Sequence, residues 1–166
     1  MPAVKPTVQP GRPPIPHRNL PLLLLQGRES VIGLFRPILK AHGLTEQQWR
    51  VLRVLAEFGS LEPRQIGRLC GLSSPSLAGI LARMDEQGLV TRAGLAHDKR
   101  RQAVTATPVS LALAAQMAPE IEAAYQAMEQ RLGQAFVTQL YASLDELVAV
   151  LEVQAAGKSG EGGASG

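Results

Sequence analysis

Three adjacent cations, Lys99, Arg100 and Arg101, lie in the segment Ala96-His97-Asp98-Lys99-Arg100-Arg101, between two short alternating stretches at residues 89–92 and 102–107. The pattern predicts two strands joined by a basic turn, with Gly94 assisting the reversal. A cationic hairpin of this kind can reach a minor groove, where the negative potential attracts guanidinium groups. Immediately upstream, Leu77, Ile80, Leu81 and Met84 repeat at helical spacing, and the complementary face carries Ser73, Ser74, Ser76, Gly79 and Arg83. Small and hydroxyl side chains permit close backbone approach and hydrogen bonds to phosphates or base edges. A helix of this width fits a major groove. An ordinary surface helix would carry more Lys and Glu, so this face favours recognition. The chemistry on offer is the reading of a duplex by adjacent grooves.

These residues need a scaffold, and the flanking sequence supplies one. Ser74 is expected to cap the reading helix at Pro75, and Gly88 to close it. Before it, Pro63 opens a short helix after Glu62, with Ile66, Leu69 and Cys70 facing inward and Gly71 as its stop. Thr45-Glu46-Gln47-Gln48 reads as a capping box with Leu44 and Trp49 at the staple positions, and its helix runs to about Phe58. Residues 22–42 carry a further helical period, in which Pro37 removes one amide and predicts a bend or break. After Thr107, Pro108 starts a long helical stretch with a kink expected at Pro119, and Gly133 separates it from a last helix bearing Phe136, Leu140, Leu144, Leu147, Val148 and Leu151. The expected architecture is therefore mainly α with a small β-wing, a winged helix-turn-helix between N- and C-terminal helices. Those terminal helices hold more apolar surface than a small winged helix can cover, and pairing with a second copy is the economical outlet.

The chain has 166 residues, 45% hydrophobic, with a formal net charge of +3. Basic residues prevail up to Arg101 and acidic ones from Gln102 to Ala156, so only part of the molecule is suited to approach phosphates. The expected organisation is a Pro-rich arm at 1–19, one unit at 20–156 and a flexible tail at 157–166. Within the unit, 44–107 forms the reading head, and 20–43 with 108–153 the dimerisation helices. One cysteine, Cys70, excludes an intrachain disulfide framework and suits a reducing cytoplasm. The run Leu20-Pro21-Leu22-Leu23-Leu24-Leu25 is too short to span a membrane and lacks a signal-peptide layout. His17, His42 and His97 are scattered, no metal-ligand spacing or phosphate-cradling loop occurs, and Cys70 is expected in a core. Neither an enzyme nor a cofactor is expected.

In the order of its elements and in several strings, the segment from Leu20 to Val153 resembles the MarR family of bacterial transcription regulators. Asp98-Lys99-Arg100 matches that family's wing signature, Gln87-Gly88-Leu89-Val90-Thr91-Arg92 resembles its join between recognition helix and wing, and Val104-Thr105-Ala106-Thr107 resembles the strand that follows, with Ala106 in place of the commoner leucine. Phe35-Arg36-Pro37-Ile38-Leu39, followed by His42-Gly43-Leu44-Thr45-Glu46-Gln47-Gln48-Trp49-Arg50, is similar to the HpaR branch, repressors of homoprotocatechuate-degradation operons. The resemblance implies a triangular homodimer whose first and last helices interlock and whose recognition helices occupy successive major grooves of double-stranded DNA. Half-sites of the pseudo-palindromic operator would lie roughly 10 bp apart. It also implies that Arg100 enters the minor groove while Asp98 orients it through a salt bridge.

For effectors, the resemblance implies a site between the dimer helices and the reading head. Arg28 and Arg36 lie eight residues apart on the first helix, and either could clamp a carboxylate. His42 and Trp49 flank the next turn and would offer a proton donor or acceptor and an apolar plate to a small aromatic carboxylic acid. Interfacial ion pairs for the arginines and a staple for Trp49 are the plainer readings. The expected function is a dimeric repressor released by a phenolic acid such as 4-hydroxyphenylacetate or 3,4-dihydroxyphenylacetate. The alternatives are a regulator answering another aromatic acid or a phenolic toxin, and a winged-helix protein-interaction module.

Overall fold

In the computed structural model the described residues are 17–95 and 98–160, with side chains described for all of them except 95, 98–101 and 152–160. The elements run α1 (Leu20–Ala41), α2 (Glu46–Phe58), α3 (Pro63–Cys70), α4 (Ser74–Glu86), β1 (Val90–Leu95), β2 (Asp98–Ala106), α5 (Pro108–Leu132) and α6 (Gln134–Gly160). The chain forms two compact units, Met1–Leu34 and Phe35–Gly166, with α1 passing from the first into the second.

In the first unit, Asn19 begins α1. Its Oδ1 accepts from the amide of Leu22 at 3.0 Å, which satisfies one of the helix's orphan donors. Leu20, Leu22, Leu23, Leu24, Leu25, Val31 and Leu34 are all exposed.

In the second unit, the last turns of α1 bury Phe35 and Leu39, and Pro37 lies inside the helix without breaking it. One missing rung costs less than re-nucleating a helix, and the buried neighbours hold the backbone on both sides. The same holds at Pro119, which sits inside an uninterrupted α5 between the buried Met117 and Ile121. α2 opens as its sequence predicts: the amide of Gln48 donates to Thr45 Oγ1 at 3.2 Å, and the amide of Thr45 donates to Gln48 Oε1 at 2.9 Å. α2 contributes Val51, Leu52 and Leu55 to a core that Ile66 and Cys70 of α3 and Leu77, Ile80, Leu81 and Met84 of α4 complete.

Two corrections concern α3 and α4. Leu69, expected inward, is half exposed, because the buried stripe of this eight-residue helix consists of Ile66, Gly67 and Cys70. The cap of α4 is Ser73 rather than Ser74: Ser73 is extended at φ −68°, ψ 151°, its carbonyl accepts from the amide of Leu77 at 2.9 Å, and its hydroxyl donates to Ser76 Oγ at 3.0 Å. Gly71 lies between the two helices at φ 61°, a left-handed turn that a glycine makes without strain.

β1 and β2 pair antiparallel from Val90↔Ala106 to Gly94↔Gln102, then shift register to Leu95↔Asp98. Both strands are longer than their alternation predicts, so Asp98 to Arg101 belong to β2, within an irregularity that crowds extra residues onto that strand. Leu61 adds a bridge to the other side of β2: its amide donates to the carbonyl of Val104 at 3.0 Å, and the amide of Val104 donates back at 2.8 Å. Thr107 then caps α5, accepting from the amide of Ser110 at 3.2 Å while its hydroxyl donates to the carbonyl of Gly88 at 2.7 Å. One side chain thus ties the start of α5 to the end of α4. Gly133 separates α5 from α6 as expected, and α6 runs on to Gly160, past Ala156 where composition suggests a tail. Extending an existing helix adds a hydrogen bond for each residue fixed, which can outweigh the low helix propensity of Gly157.

Candidate nucleic-acid interface and effector site

The outer face of α4 keeps the character read from the sequence. Ser73, Ser74, Ser76 and Arg83 are exposed, and Gly79 is half-buried. Every charged residue of α4, namely Arg83, Asp85 and Glu86, lies in its last turns. Gly79 is informative because its own chain does not require it: a Cβ there would meet only Arg83 Nη1, at an ordinary 3.7 Å. A helix-interior glycine costs about 1 kcal/mol against alanine. Packing within the chain therefore gives no reason for a glycine at this position.

α3 adds two cations that the sequence reading passed over. Arg64 and Arg68 are exposed, one helical turn apart, and neither pairs with a carboxylate among the described residues; the same is true of Arg83. In a helix-turn-helix the first helix crosses the phosphate backbone. The i,i+4 arginine spacing was the signal available. In β1, Arg92 pairs with Asp85 at 3.5 Å, joining the wing to the last turn of α4. The side chains of Asp98, Lys99, Arg100 and Arg101 lie outside the described residues, as does the tip at Ala96 and His97, although the backbone of β2 from Asp98 is in place.

Each residue expected to hold an effector has a protein partner. In the first unit Arg28 Nη1 meets Glu29 Oε1 at 2.7 Å. In the second, Arg36 Nη2 lies 3.2 Å from Glu46 Oε2, and His42 Nε2 lies 2.7 Å from Glu120 Oε1 on α5. Glu46 is shared, because its Oε1 also accepts from Arg50 Nη2 at 2.8 Å. Arg50 Nη1 in turn donates to the carbonyl of Cys70, the last residue of α3, at 2.8 Å. Burial raises the pKa of the Cys70 thiol, and the nearby Arg50 charge offsets this only in part.

Trp49 is half-buried, and the guanidinium carbon of Arg53 stands 5.9 Å from its ring centroid. That is cation–π distance. Arg53 is exposed, pairs with no carboxylate among the described residues and follows Trp49 by one helical turn. The sequence expectation names only the arginines of α1 for this role, although the i,i+4 spacing of Trp49 and Arg53 is visible in the sequence. An aromatic ring beside a guanidinium that pairs with no carboxylate among the described residues is a combination able to accept an aromatic ring and its carboxylate together. On α5, Tyr125 packs its ring 4.8 Å from that of Phe35, at a 52° tilt.

Comparison with known proteins fixes the ancestry of this arrangement. The model of the MarR family matches residues 42–101. The homoprotocatechuate degradative operon repressor of Escherichia coli is 39% identical over 134 residues, 81% of this chain and 90% of that protein. The chain belongs to the MarR family. MarR members are transcriptional regulators, and the winged-helix architecture read from the sequence is the one found. Among solved structures, transcriptional regulator PA4135 superposes with a TM-score of 0.79 at 38% identity, covering 81% of this chain and 98% of that one. NadR in complex with 4-hydroxyphenylacetate superposes with a TM-score of 0.71 at 34% identity, covering 86% and 97%. No helix among the described residues is long and apolar enough to cross a membrane.

Proposed function

We propose that this MarR regulator is a cytoplasmic, dimeric repressor that grips a pseudo-palindromic DNA operator and is released by a small aromatic carboxylic acid, with 4-hydroxyphenylacetate the first candidate. The observation that carries the DNA reading is the small, uncharged face of α4 from Ser73 to Gly79, flanked by Arg64, Arg68 and Arg83. In this reading Ser73, Ser74, Ser76 and Gly79 approach base edges, the arginines take phosphates, and Lys99, Arg100 and Arg101 carry the wing into the minor groove with Asp98 orienting it. Dimerisation is supported by the exposed Leu20, Leu22, Leu23, Leu24 and Leu25 of α1, and by Phe136, Leu140, Leu144, Val148 and Leu151 of α6, which together leave more apolar surface in water than a monomer ordinarily tolerates.

The effector reading rests on Trp49 and Arg53. The ring supplies a plate and the guanidinium a carboxylate partner, whereas Arg36 and His42 could take a ligand carboxylate only in exchange for Glu46 and Glu120. That NadR was solved with 4-hydroxyphenylacetate, and that the E. coli relative governs a homoprotocatechuate operon, nominates phenolic acids as the class to test.

Fluorescence anisotropy tests the reading directly, using a duplex selected on the protein from a random-sequence library. Affinity should fall steeply with salt, and Arg64→Gln should flatten the logarithmic salt slope by about 1 per head that loses a phosphate contact. Saturating 4-hydroxyphenylacetate should weaken binding about tenfold, equivalent to about 1.4 kcal/mol of coupling. Duplex binding that is absent, or indifferent to salt, refutes the repressor.

A further inference from the structure

The start of α2 holds the C-terminal end of α3 and the C-terminal end of the reading helix α4. Gln48, only 4% exposed, is one of two buried polar side chains among the described residues. Its Oε1 is committed to the capping box, accepting from the amide of Thr45, so its Nε2 must be the atom that donates to Gln87 Oε1 at 2.7 Å. Gln87 is the C-cap of α4. Two residues further along the same turn, Arg50 holds the carbonyl of Cys70, where α3 ends and the turn into α4 begins. Trp49 stands between them and carries the Arg53 guanidinium over its ring. The sensing plate and the two clamps are therefore three consecutive residues of one rigid helical turn.

We propose that Gln48 and Arg50 are the coupling residues of this regulator, carrying the occupancy of the Trp49–Arg53 site to the C-cap of α4 and to the end of α3, from which the turn into α4 departs. The proposal rests on the effector reading above. A helical turn moves as a unit, and hydrogen bonds of 2.7 and 2.8 Å have little slack, so a ligand that shifts the backbone at Trp49 must drag or break them. Displacing the C-cap of α4 and the turn that leads into it by unequal amounts changes the tilt of α4, which is the variable that sets how a recognition helix meets its groove. A third restraint, from the Thr107 hydroxyl to the carbonyl of Gly88, keeps the end of α4 tied to α5 while this happens. Glu46 completes the turn: it is held by Arg36 of α1 and Arg50 together, so the same turn also receives an input from the first helix.

The test compares the wild type with Gln87→Ala, Gln87→Glu and Arg50→Lys. Emission of Trp49, the sole tryptophan of the chain, reports 4-hydroxyphenylacetate binding, and anisotropy with the selected duplex is read with and without saturating acid. Gln87 is exposed and belongs to neither proposed binding surface, so Gln87→Ala should bind acid and duplex separately within about threefold of wild type. The about tenfold loss of duplex affinity on adding acid should shrink in that variant to about twofold or less. Gln87→Glu, which keeps an acceptor for Gln48 Nε2, should retain the full tenfold response, a rescue that general loosening of the fold would not give. Arg50→Lys, which cannot serve Glu46 and Cys70 together with a fork, should also lose most of the response. A wild-type response that survives intact in Gln87→Ala and in Arg50→Lys overturns the coupling alone. A wild-type tryptophan that does not answer the acid overturns the effector reading, and the coupling with it.

Discussion

Replacing Gly79 with alanine should make the protein more stable and a poorer DNA binder at once. Within the chain the new Cβ meets only Arg83 Nη1, at 3.7 Å, so the substitution introduces no internal clash. Alanine gains about 1 kcal/mol over glycine in a helix interior, about a fivefold rise in the folding constant. On the outer face the same methyl occupies space that a close-approaching DNA strand needs. If each head of a dimer loses about 0.7 kcal/mol, the complex loses about 1.4 kcal/mol, or tenfold in affinity. Urea unfolding followed by Trp49 emission gives the first quantity, at one fixed protein concentration because the stability of a dimer depends on it. Anisotropy at constant salt gives the second. Gly67→Ala is the internal contrast: its Cβ would stand 3.2 Å from the backbone carbonyl of Leu72, which cannot swing aside, so this variant should lose stability. Stabilisation by Gly79→Ala with unchanged duplex affinity would refute the idea that DNA approaches α4 at this point.

Two further predictions concern the joints of the reading head. Thr107→Val removes the cap of α5 and the bond to Gly88, and should cost about 1–2 kcal/mol in urea unfolding, whereas Thr107→Ser keeps both bonds and should lose less than half of that; equal losses would show that the hydroxyl contributes nothing. Cys70 is buried and its thiol pKa is raised, so iodoacetamide should label the native protein far more slowly than the unfolded one. Because the fold favours the neutral thiol, the associated stability is fully present below the ordinary thiol value of 9.0 and is lost as pH rises through the raised folded value. Above about pH 9 the urea midpoint of wild type should therefore fall more steeply than that of Cys70→Ala, and parallel pH profiles would contradict the assignment.

Local signals in the sequence were read well wherever the physics is local. The Thr45–Gln48 box needs only its own four residues, and the stripe Leu77, Ile80, Leu81, Met84 states which side of α4 is buried. Leu69 is apolar but not inward, because it immediately precedes the buried Cys70 and one residue step turns a helical side chain about 100° away. The length of the wing was hidden because its basic residues interrupt the alternation by which strands are recognised, and the hydrogen-bond ladder continues regardless. Pro37, where a bend or break is expected, and Pro119, where a kink is expected, both lie inside helices that continue through them, so at Pro37 the break is excluded, with buried residues on either side holding the backbone. Arg53 follows Trp49 by one helical turn, a spacing the sequence shows, but which of several exposed arginines lies over the indole is decided only by the folded chain. The Gln48–Gln87 bond joins residues 39 apart in the chain, and nothing in a single sequence announces such a pairing. The site was thus legible as a set of surfaces, whereas the ties between them appear only once the chain has folded.

The first two turns of α4 carry no charge, and among the described residues of the head the arginines that pair with no carboxylate are Arg53 on α2, Arg64 and Arg68 on α3, and Arg83 late in α4. Under the proposed reading of α4, a lineage descending from this protein can exchange Ser73, Ser74 or Ser76 without altering the electrostatic attraction that would bring the molecule to any duplex. Preference for one nucleotide string can then drift while adhesion persists, and a duplicated copy can acquire a new set of target genes before losing the old one.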